Sequence, residues 1–143
     1  MADAETPPLS AYPHRRTVQT RWKDNDVYGH VNNVEYYSFF DTVINEWLIE
    51  EGGLKIHSGD TIGVCAESGC RFLAPVAFPE PVVAGLRVEK LGNSSVRYGI
   101  GLFREMGEPL ATGYFVHVFV GRRDRRPRSI PEQIRKCLVR IEA

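Results

Sequence analysis

Residues 32–51 constrain the fold more than any other stretch, because they have the pattern of a long helix covered on several sides. Asn32 is a favourable N-cap residue, Glu35 stands in the capping-box position, and Gly52-Gly53 is a typical helix stop. Between these signals the apolar residues occupy more than one helical face, which is typical of a helix surrounded by protein. They are Val34, Tyr36, Tyr37, Phe39, Phe40, Val43, Ile44, Trp47, Leu48 and Ile49.

The rest of the chain is dominated by strand patterns separated by turn signals. Glycine-rich and proline-containing turns at 92–95 and 106–109 join successive strands at hairpin spacing, so the sheet should be antiparallel. The apolar run 113–120 favours a central position for the last strand. The predicted strands cover 15–22, 61–72, 81–91, 96–104 and 110–120, and a short terminal helix covers 131–141.

This order predicts an α+β fold in which a five-stranded antiparallel sheet wraps around one long central helix. The length of 143 residues fits a single domain, predicted at 14–143, after a flexible N-terminal tail at 1–13. Apolar residues on both faces of the later strands predict that a second subunit covers the outer face of the sheet.

Composition argues against several classes of protein. Eighteen basic residues balance eighteen acidic ones, so a general nucleic-acid or membrane-surface binder is not expected. The N-terminus lacks the pattern of a signal peptide, and no apolar stretch is long enough to span a bilayer. The three cysteines form no CxxC pair, and Cys65 and Cys70 should point to opposite faces of one strand. Reduced thiols and a cytoplasmic location are therefore predicted.

The loop before the helix carries the strongest indication of chemistry. Two carboxylates (Asp24 and Asp26), an imidazole (His30) and a glycine precede the two asparagines that open the helix. A helix start offers free backbone N–H groups and the positive end of a dipole. Next to an acid, this arrangement suits chemistry on a polarised carbonyl group.

The segment 21–41, RWKDNDVYGHVNNVEYYSFFD, resembles the first motif of the hotdog-fold acyl-CoA thioesterases, in particular the 4-hydroxybenzoyl-CoA thioesterase branch. Its Gly-His-Val-Asn-Asn version is similar to that of a large bacterial subgroup, and Phe72-Leu73-Ala74-Pro75 resembles the aromatic-x-x-Pro that ends the family's second strand. The resemblance runs from about residue 17 to 120. It implies hydrolysis of acyl-CoA thioesters by a homodimer with joined sheets, often paired into a homotetramer, without a metal or redox cofactor.

The resemblance also implies roles for individual residues. Asp26 matches the catalytic aspartate, either as nucleophile or as general base for a water. The backbone N–H of Asn33 would face the thioester oxygen. Tyr28, Gly29 and His30 would line the pocket, where His30 could tune Asp26 or hydrogen-bond to the thioester or a water. We expect Asp24 to be structural, turning the loop or pairing with Arg21, and Tyr36 to belong to the core.

Other polar residues are weaker candidates for binding. Glu67, in a strand of small and apolar residues, either assists catalysis or pairs with an arginine such as Arg71. Arg125 and Arg126, in an arginine-rich loop, suit the phosphates of coenzyme A, although a solvated basic loop fits the pattern equally well. Lys90 is a similar candidate. His57 and His117 are too isolated for a metal site, and His117 should be a satisfied core histidine.

Two other functions fit part of the sequence. A hotdog hydratase or dehydratase acts on unsaturated acyl thioesters with an aspartate and a histidine, which Asp26 and His30 could supply, but Gly-His-Val-Asn-Asn is not that family's motif. A non-catalytic acyl-CoA-binding protein could keep the fold alone, but the intact Asp26 and helix start argue against it. The sequence therefore favours an acyl-CoA thioesterase.

Overall fold

The computed structural model describes residues 6–143, in which seven helices and strands follow one another in the predicted order. Two short 3₁₀ turns, Leu9–Ala11 and Trp22–Asp24, also lie before the long helix. The elements are β1 (His14–Val18), α1 (Asn33–Gly52), β2 (Thr61–Phe72), β3 (Val82–Leu91), β4 (Ser95–Arg104), β5 (Pro109–Gly121) and α2 (Glu132–Val139).

The five strands form one antiparallel sheet in the order β1-β3-β4-β5-β2, with α1 packed against one face. The predicted α+β hotdog architecture is confirmed. β4 occupies the middle of the sheet. β5, which was predicted to be central, is an interior strand between β4 and β2 but not the middle one. β1 ends at Val18 instead of residue 22, because the Thr20 hydroxyl donates to Glu80 O and the chain then turns into Trp22–Asp24.

Helix α1 supplies the centre of the core. Phe40, Val43, Ile44 and Leu48 are completely buried against the apolar side chains of β3, β4 and β5. Burial of a large apolar side chain stabilises a fold by about 1.5–3 kcal/mol. Val34, however, lies near the start of the helix with 70% of its surface exposed, so the helix is not covered on every side within one chain.

Both ends of α1 follow the predicted signals, with one exception. The Asn32 side chain accepts a 3.0 Å hydrogen bond from Val34 N, and Gly53 ends the helix in a left-handed conformation, φ 67°. The exception is Glu35, which does not complete a capping box. Its carboxylate lies 3.4 Å from Arg21 Nη2, while the N–H of Asn32 donates to Asp24 O.

Cys65 and Cys70 lie on the same face of β2, so the prediction of opposite faces is wrong. Cys65 pairs with His117 and Cys70 pairs with Gly113, four residues apart on β5. The register shifts between Cys65 and Glu67, as in a β-bulge, and the extra residue reverses the alternation beyond it.

The predicted tail differs from expectation at Tyr12. Residues 1–5 lie outside the described part, but the Tyr12 ring is buried against the bare backbone of Gly85 and meets Phe103 edge-on at 5.8 Å. A β-carbon on Gly85 would lie 2.6 Å from the ring. The chain is thus attached to the sheet two residues before the predicted start of the domain, whose bounds otherwise stay a prediction. None of the helices described is long and apolar enough to cross a membrane.

Candidate active site

The loop between β1 and α1 is closed by backbone hydrogen bonds and is therefore well defined. Asp26 N donates to His30 O at 3.0 Å, and Gly29 N donates to Asp26 O at 3.0 Å. Val31 N donates to Val76 O at 2.8 Å, which ties the loop to the segment after β2. The loop is a narrow hairpin that enters α1 directly.

Hydrogen bonds to Asp24 stabilise the start of this hairpin. The Asp24 carboxylate is fully buried and accepts hydrogen bonds from the backbone N–H of Arg21 at 2.7 Å and from Arg21 Nη2 at 2.9 Å. A buried carboxylate needs such charge-assisted partners to offset its desolvation. The predicted pairing of Asp24 with Arg21 is confirmed. Asn25 adds a further anchor, because its Oδ1 accepts from Phe78 N at 3.0 Å.

Asp26 has one engaged and one open carboxylate oxygen. Oδ1 accepts a 2.9 Å hydrogen bond from Tyr28 N, and the other oxygen has no hydrogen-bond partner among residues 6–143. Gly29 has φ +90°, with open space around a hypothetical β-carbon. Its predicted role in backbone conformation is confirmed, since the left-handed φ and not steric crowding demands glycine here.

Asn33 begins α1 and carries an unused backbone donor. The side chain and the carbonyl of Asn32 accept from the N–H groups of Val34 and Glu35, whereas the N–H of Asn33 has no acceptor in the described part of the chain. This N–H lies at the positive end of a 20-residue helix. The geometry leaves a donor available to an anionic or polarised oxygen.

Asp26, Tyr28, His30 and Asn33 line one cleft of about 360 Å³, here called the acyl cleft after the group that the family resemblance implies it would bind. Its other walls are apolar: Val31, Tyr36, Phe72, Leu73, Ala74 and Pro75. The structure thus brings the three predicted catalytic residues together, and the buried Tyr36, which was expected to belong to the core, also lines the cleft. Tyr36 meets Phe72 edge-on at 5.1 Å, and burial raises the pKa of its phenol. Residues 72–75, which matched only the motif that ends the family's second strand, form a wall of the cleft that was not predicted.

The other predicted binding residues do not line this cleft within one chain. Glu67 accepts a 2.6 Å hydrogen bond from the hydroxyl of Tyr114, and Lys90 is exposed on β3. Arg125 and Arg126 lie in the loop after β5, where Arg122 Nη2 donates to Ile56 O at 2.8 Å and fixes the loop near the far end of α1. Their binding roles stay predictions.

His117 lies on β5 and departs from its expected role. It is buried, but its Nδ1 has no hydrogen-bond partner among residues 6–143, so the prediction of a satisfied core histidine is wrong. Burial lowers its pKa, although the charge of Asp41 acts in the opposite direction. The Tyr98 ring meets the His117 ring edge-on, with 5.2 Å between their centroids, and its buried hydroxyl likewise has no partner in the part of the chain that the structure describes. No sequence pattern predicted that His117 and Tyr98 would lie together.

Comparison with known proteins identifies a family and a fold to which the chain is similar. The model of the thioesterase superfamily matches residues 28–111, more than half of the chain. The PA5185 protein from Pseudomonas aeruginosa strain PAO1 is 52% identical in its crystal structure, with 96% of each chain covered and a TM-score of 0.94.

Two further relatives span most of the chain. A thioesterase from Thermus thermophilus, solved in complex with coenzyme A and zinc, is 29% identical with a TM-score of 0.77, covering 92% of this chain and 96% of its own. The YsmA protein of Bacillus subtilis (strain 168) is 26% identical over 123 residues, 85% of this chain and 82% of its own length. The prediction of a thioester hydrolase is confirmed at this level. The chain belongs to the thioesterase superfamily.

Proposed function

We propose that this protein hydrolyses acyl-CoA thioesters in the acyl cleft, with Asp26 and the N–H of Asn33 as the reacting and polarising groups. One observation carries the proposal. A carboxylate with an open oxygen and an unused helix N–H line the same cleft, whose remaining walls are apolar. The Thermus relative solved with coenzyme A supports CoA as the thiol component.

The chemistry follows from these two groups. The N–H of Asn33 would donate to the thioester oxygen, and such a donor lowers the barrier by about 3–4 kcal/mol. Asp26 then either attacks the carbonyl carbon or removes a proton from a water that attacks it. In the first case the thiolate leaves, the resulting anhydride takes up water, and the carboxylate is regenerated. Both routes consume one water and release a carboxylic acid and a free thiol.

His30 is proposed as an auxiliary group at the rim of the acyl cleft. Its imidazole is exposed, whereas its backbone carbonyl accepts a hydrogen bond from the N–H of Asp26. An imidazole in this position can hydrogen-bond to the attacking water or to the departing sulfur. Its contribution should therefore be smaller than that of Asp26.

A second copy of the chain is proposed to complete the rim. Tyr28 in the cleft is 85% exposed and Val34, the residue after Asn33, is 70% exposed, and large exposed apolar groups favour contact with another protein surface. The homodimer or homotetramer implied by the family resemblance would cover them. We also propose a cytoplasmic location, because three cysteines without a CxxC pair fit reduced thiols.

The decisive experiment measures thiol release from a panel of short, medium, long and aromatic acyl-CoAs by the wild type and Asp26→Asn. We expect hydrolysis by the wild type and a loss of about 10²–10⁴-fold in the variant. Asp60→Asn, an exposed carboxylate outside the acyl cleft, is the matched control and should retain activity. Undiminished activity in Asp26→Asn would refute the assignment, and turnover without free thiol would favour hydration of the acyl group instead.

A further inference from the structure

We infer that Arg104 is a positioning residue of the acyl cleft, whose guanidinium holds the wall formed by residues 72–75 and thereby sets which acyl groups fit. The inference rests on the proposed function, because it concerns the selectivity of the same site. Arg104 lies at the end of β4 and does not itself line the cleft, so its effect must pass through the wall.

The guanidinium of Arg104 joins three segments that are distant from one another in the sequence. Its Nη2 donates to Pro75 O at 2.7 Å. Its Nη1 donates to the carboxylate of Glu80 at 2.5 Å, and its Nε donates to the carboxylate of Glu108 at 2.7 Å. A planar fork that meets two carboxylates and a carbonyl has one preferred orientation, so it also fixes the position of that carbonyl.

Pro75 is the residue of the wall that depends most on this contact. A proline has no backbone N–H, so its carbonyl is the only hydrogen-bonding group that it offers. The preceding residues, Leu73 and Ala74, are held through their own N–H groups, which donate to Leu110 O at 2.9 and 3.2 Å. Without Arg104, Pro75 would lose its hydrogen bond to the sheet.

The charge of Arg104 is also felt inside the acyl cleft. Burial raises the pKa of the Tyr36 phenol, and the charge of Arg104 acts in the opposite direction. Tyr36 lines the cleft and meets Phe72 of the wall edge-on. The guanidinium is therefore near the cleft as well as bonded to its wall.

The stretch after the wall is joined to the loop before α1. Residues 76 and 78 take part in hydrogen bonds to this loop, at 2.8 and 3.0 Å. The contacts of Arg104 with Pro75 and Glu80 enclose this stretch on both sides. Release of the guanidinium should therefore allow the wall to move relative to the loop, which changes the space between them.

The test measures kcat/KM for a short straight-chain acyl-CoA and an aromatic acyl-CoA with the wild type, Arg104→Gln and Arg104→Lys. We expect Arg104→Gln to shift the ratio of the two values toward the aromatic group by about tenfold, because a released wall admits bulkier groups. Arg104→Lys keeps the charge but not the fork, so it should shift the ratio in the same direction even if Arg104→Gln does not fold. A general loss of stability would lower both values alike and leave the ratio unchanged.

Arg97→Gln is the matched control, because Arg97 is another arginine of β4 with defined partners. It pairs with Glu89 at 3.2 Å and lies over the ring of Tyr114, but it does not line the acyl cleft. This variant should keep the wild-type ratio. An unchanged ratio in the Arg104 variants, or an equal shift in Arg97→Gln, would overturn the inference, and the proposed hydrolysis would still stand if Asp26→Asn abolished turnover.

Hydrogen–deuterium exchange tests the position of the wall without relying on turnover. In Arg104→Lys the backbone N–H groups of residues 72–80 should exchange about tenfold faster than in the wild type, while those of α2 keep their rates. Unchanged exchange at 72–80 would overturn the inference. If the wild type hydrolysed no acyl-CoA, the proposed function would fail, and this measurement would still decide whether Arg104 holds the wall.

Discussion

The carboxylate of Asp24, fully buried, accepts hydrogen bonds from both the backbone and the guanidinium of Arg21, at 2.7 and 2.9 Å. Asp24 does not line the acyl cleft, but its backbone carbonyl receives the N–H of Asn32 at the helix start. The pair therefore positions both ends of the hairpin that carries Asp26.

We expect Asp24→Ala to lower the free energy of unfolding by about 1–3 kcal/mol, because buried donors lose their acceptor. The kcat should fall as well, since Asp26 loses its fixed position. Urea denaturation and thiol-release kinetics measure the two effects. Arg16→Ala removes an exposed ion pair and should change stability by no more than about 1 kcal/mol. A variant as stable and active as the wild type would contradict the anchoring role.

Gly29 and Gly107 form a matched pair for testing the loop conformation. Both have a left-handed φ, +90° and +102°, and both have open space around a hypothetical β-carbon. Alanine at either position should cost about 1–2 kcal/mol of stability through backbone strain. Only Gly29→Ala should also reduce kcat, because Gly29 lies in the hairpin next to Asp26. Equal activity of the two variants would show that the hairpin tolerates the change.

His117 should make stability depend on pH in a defined direction. Burial lowers its pKa below 6.5, so the folded state disfavours the protonated form. As the pH falls below 6.5, the unfolded chain takes up a proton that the folded chain does not, and the free energy of unfolding decreases. This loss of stability is absent at pH values above the pKa of the histidine in the unfolded chain. It grows as the pH falls, until the pH reaches the lowered pKa of His117 in the folded state.

His117→Leu should reduce this loss, and it should also remove a buried nitrogen that has no partner, a group that typically costs about 1–3 kcal/mol. Urea unfolding at pH 8 and pH 5.5 for both proteins gives the comparison. His14, whose pKa is also lowered by burial, is present in both and cancels from the difference. An identical pH dependence in the two proteins would exclude His117 as its source.

Phe72 should influence which acyl groups are accepted. Its ring meets Tyr36 edge-on at 5.1 Å as part of the wall of the acyl cleft. Phe72→Ala enlarges the cleft and should shift the ratio of kcat/KM values toward bulkier acyl groups by about tenfold. Tyr36→Phe keeps the ring pair and should leave the ratio unchanged. If Phe72→Ala preserved the preference of the wild type, another surface would select the acyl group.

The sequence predicted local features well because they depend on local signals. Asn32 and Gly53 bound α1 within a residue of the expected ends, and β2 has the predicted limits. The motif around Asp26 predicted that Asp26, Tyr28, His30 and Asn33 meet in one cleft, since the loop and helix start are contiguous in the chain. Gly29, which was predicted to line the same pocket, does not line the acyl cleft. Asp26, His30 and Asn33 lie within eight consecutive residues, so no long-range packing is needed to assemble them.

The errors concern features that only tertiary structure determines. A single register shift after Cys65 moved Cys70 to the other face, and such a bulge has no clear sequence signal. Tyr12 follows a proline-rich stretch that looks like a loose tail, yet it packs over Gly85 across the sheet. Trp22 was assigned to the first strand by alternation, whereas the hydrogen bonds from Arg21 to the buried carboxylate of Asp24 place Trp22 in a 3₁₀ turn.

The hydrogen bonds from Val31 N to Val76 O and from Phe78 N to Asn25 Oδ1 join the hairpin to the chain that follows the Phe72–Pro75 wall. The proposed reacting acid and the wall proposed to receive the acyl group are therefore connected by direct hydrogen bonds. An acyl group that forces this wall outward should also displace Asp26 from the thioester carbonyl. Substrates of the wrong shape should thus be rejected during bond cleavage and not merely at binding, with a reduced kcat as the mark of a poor fit.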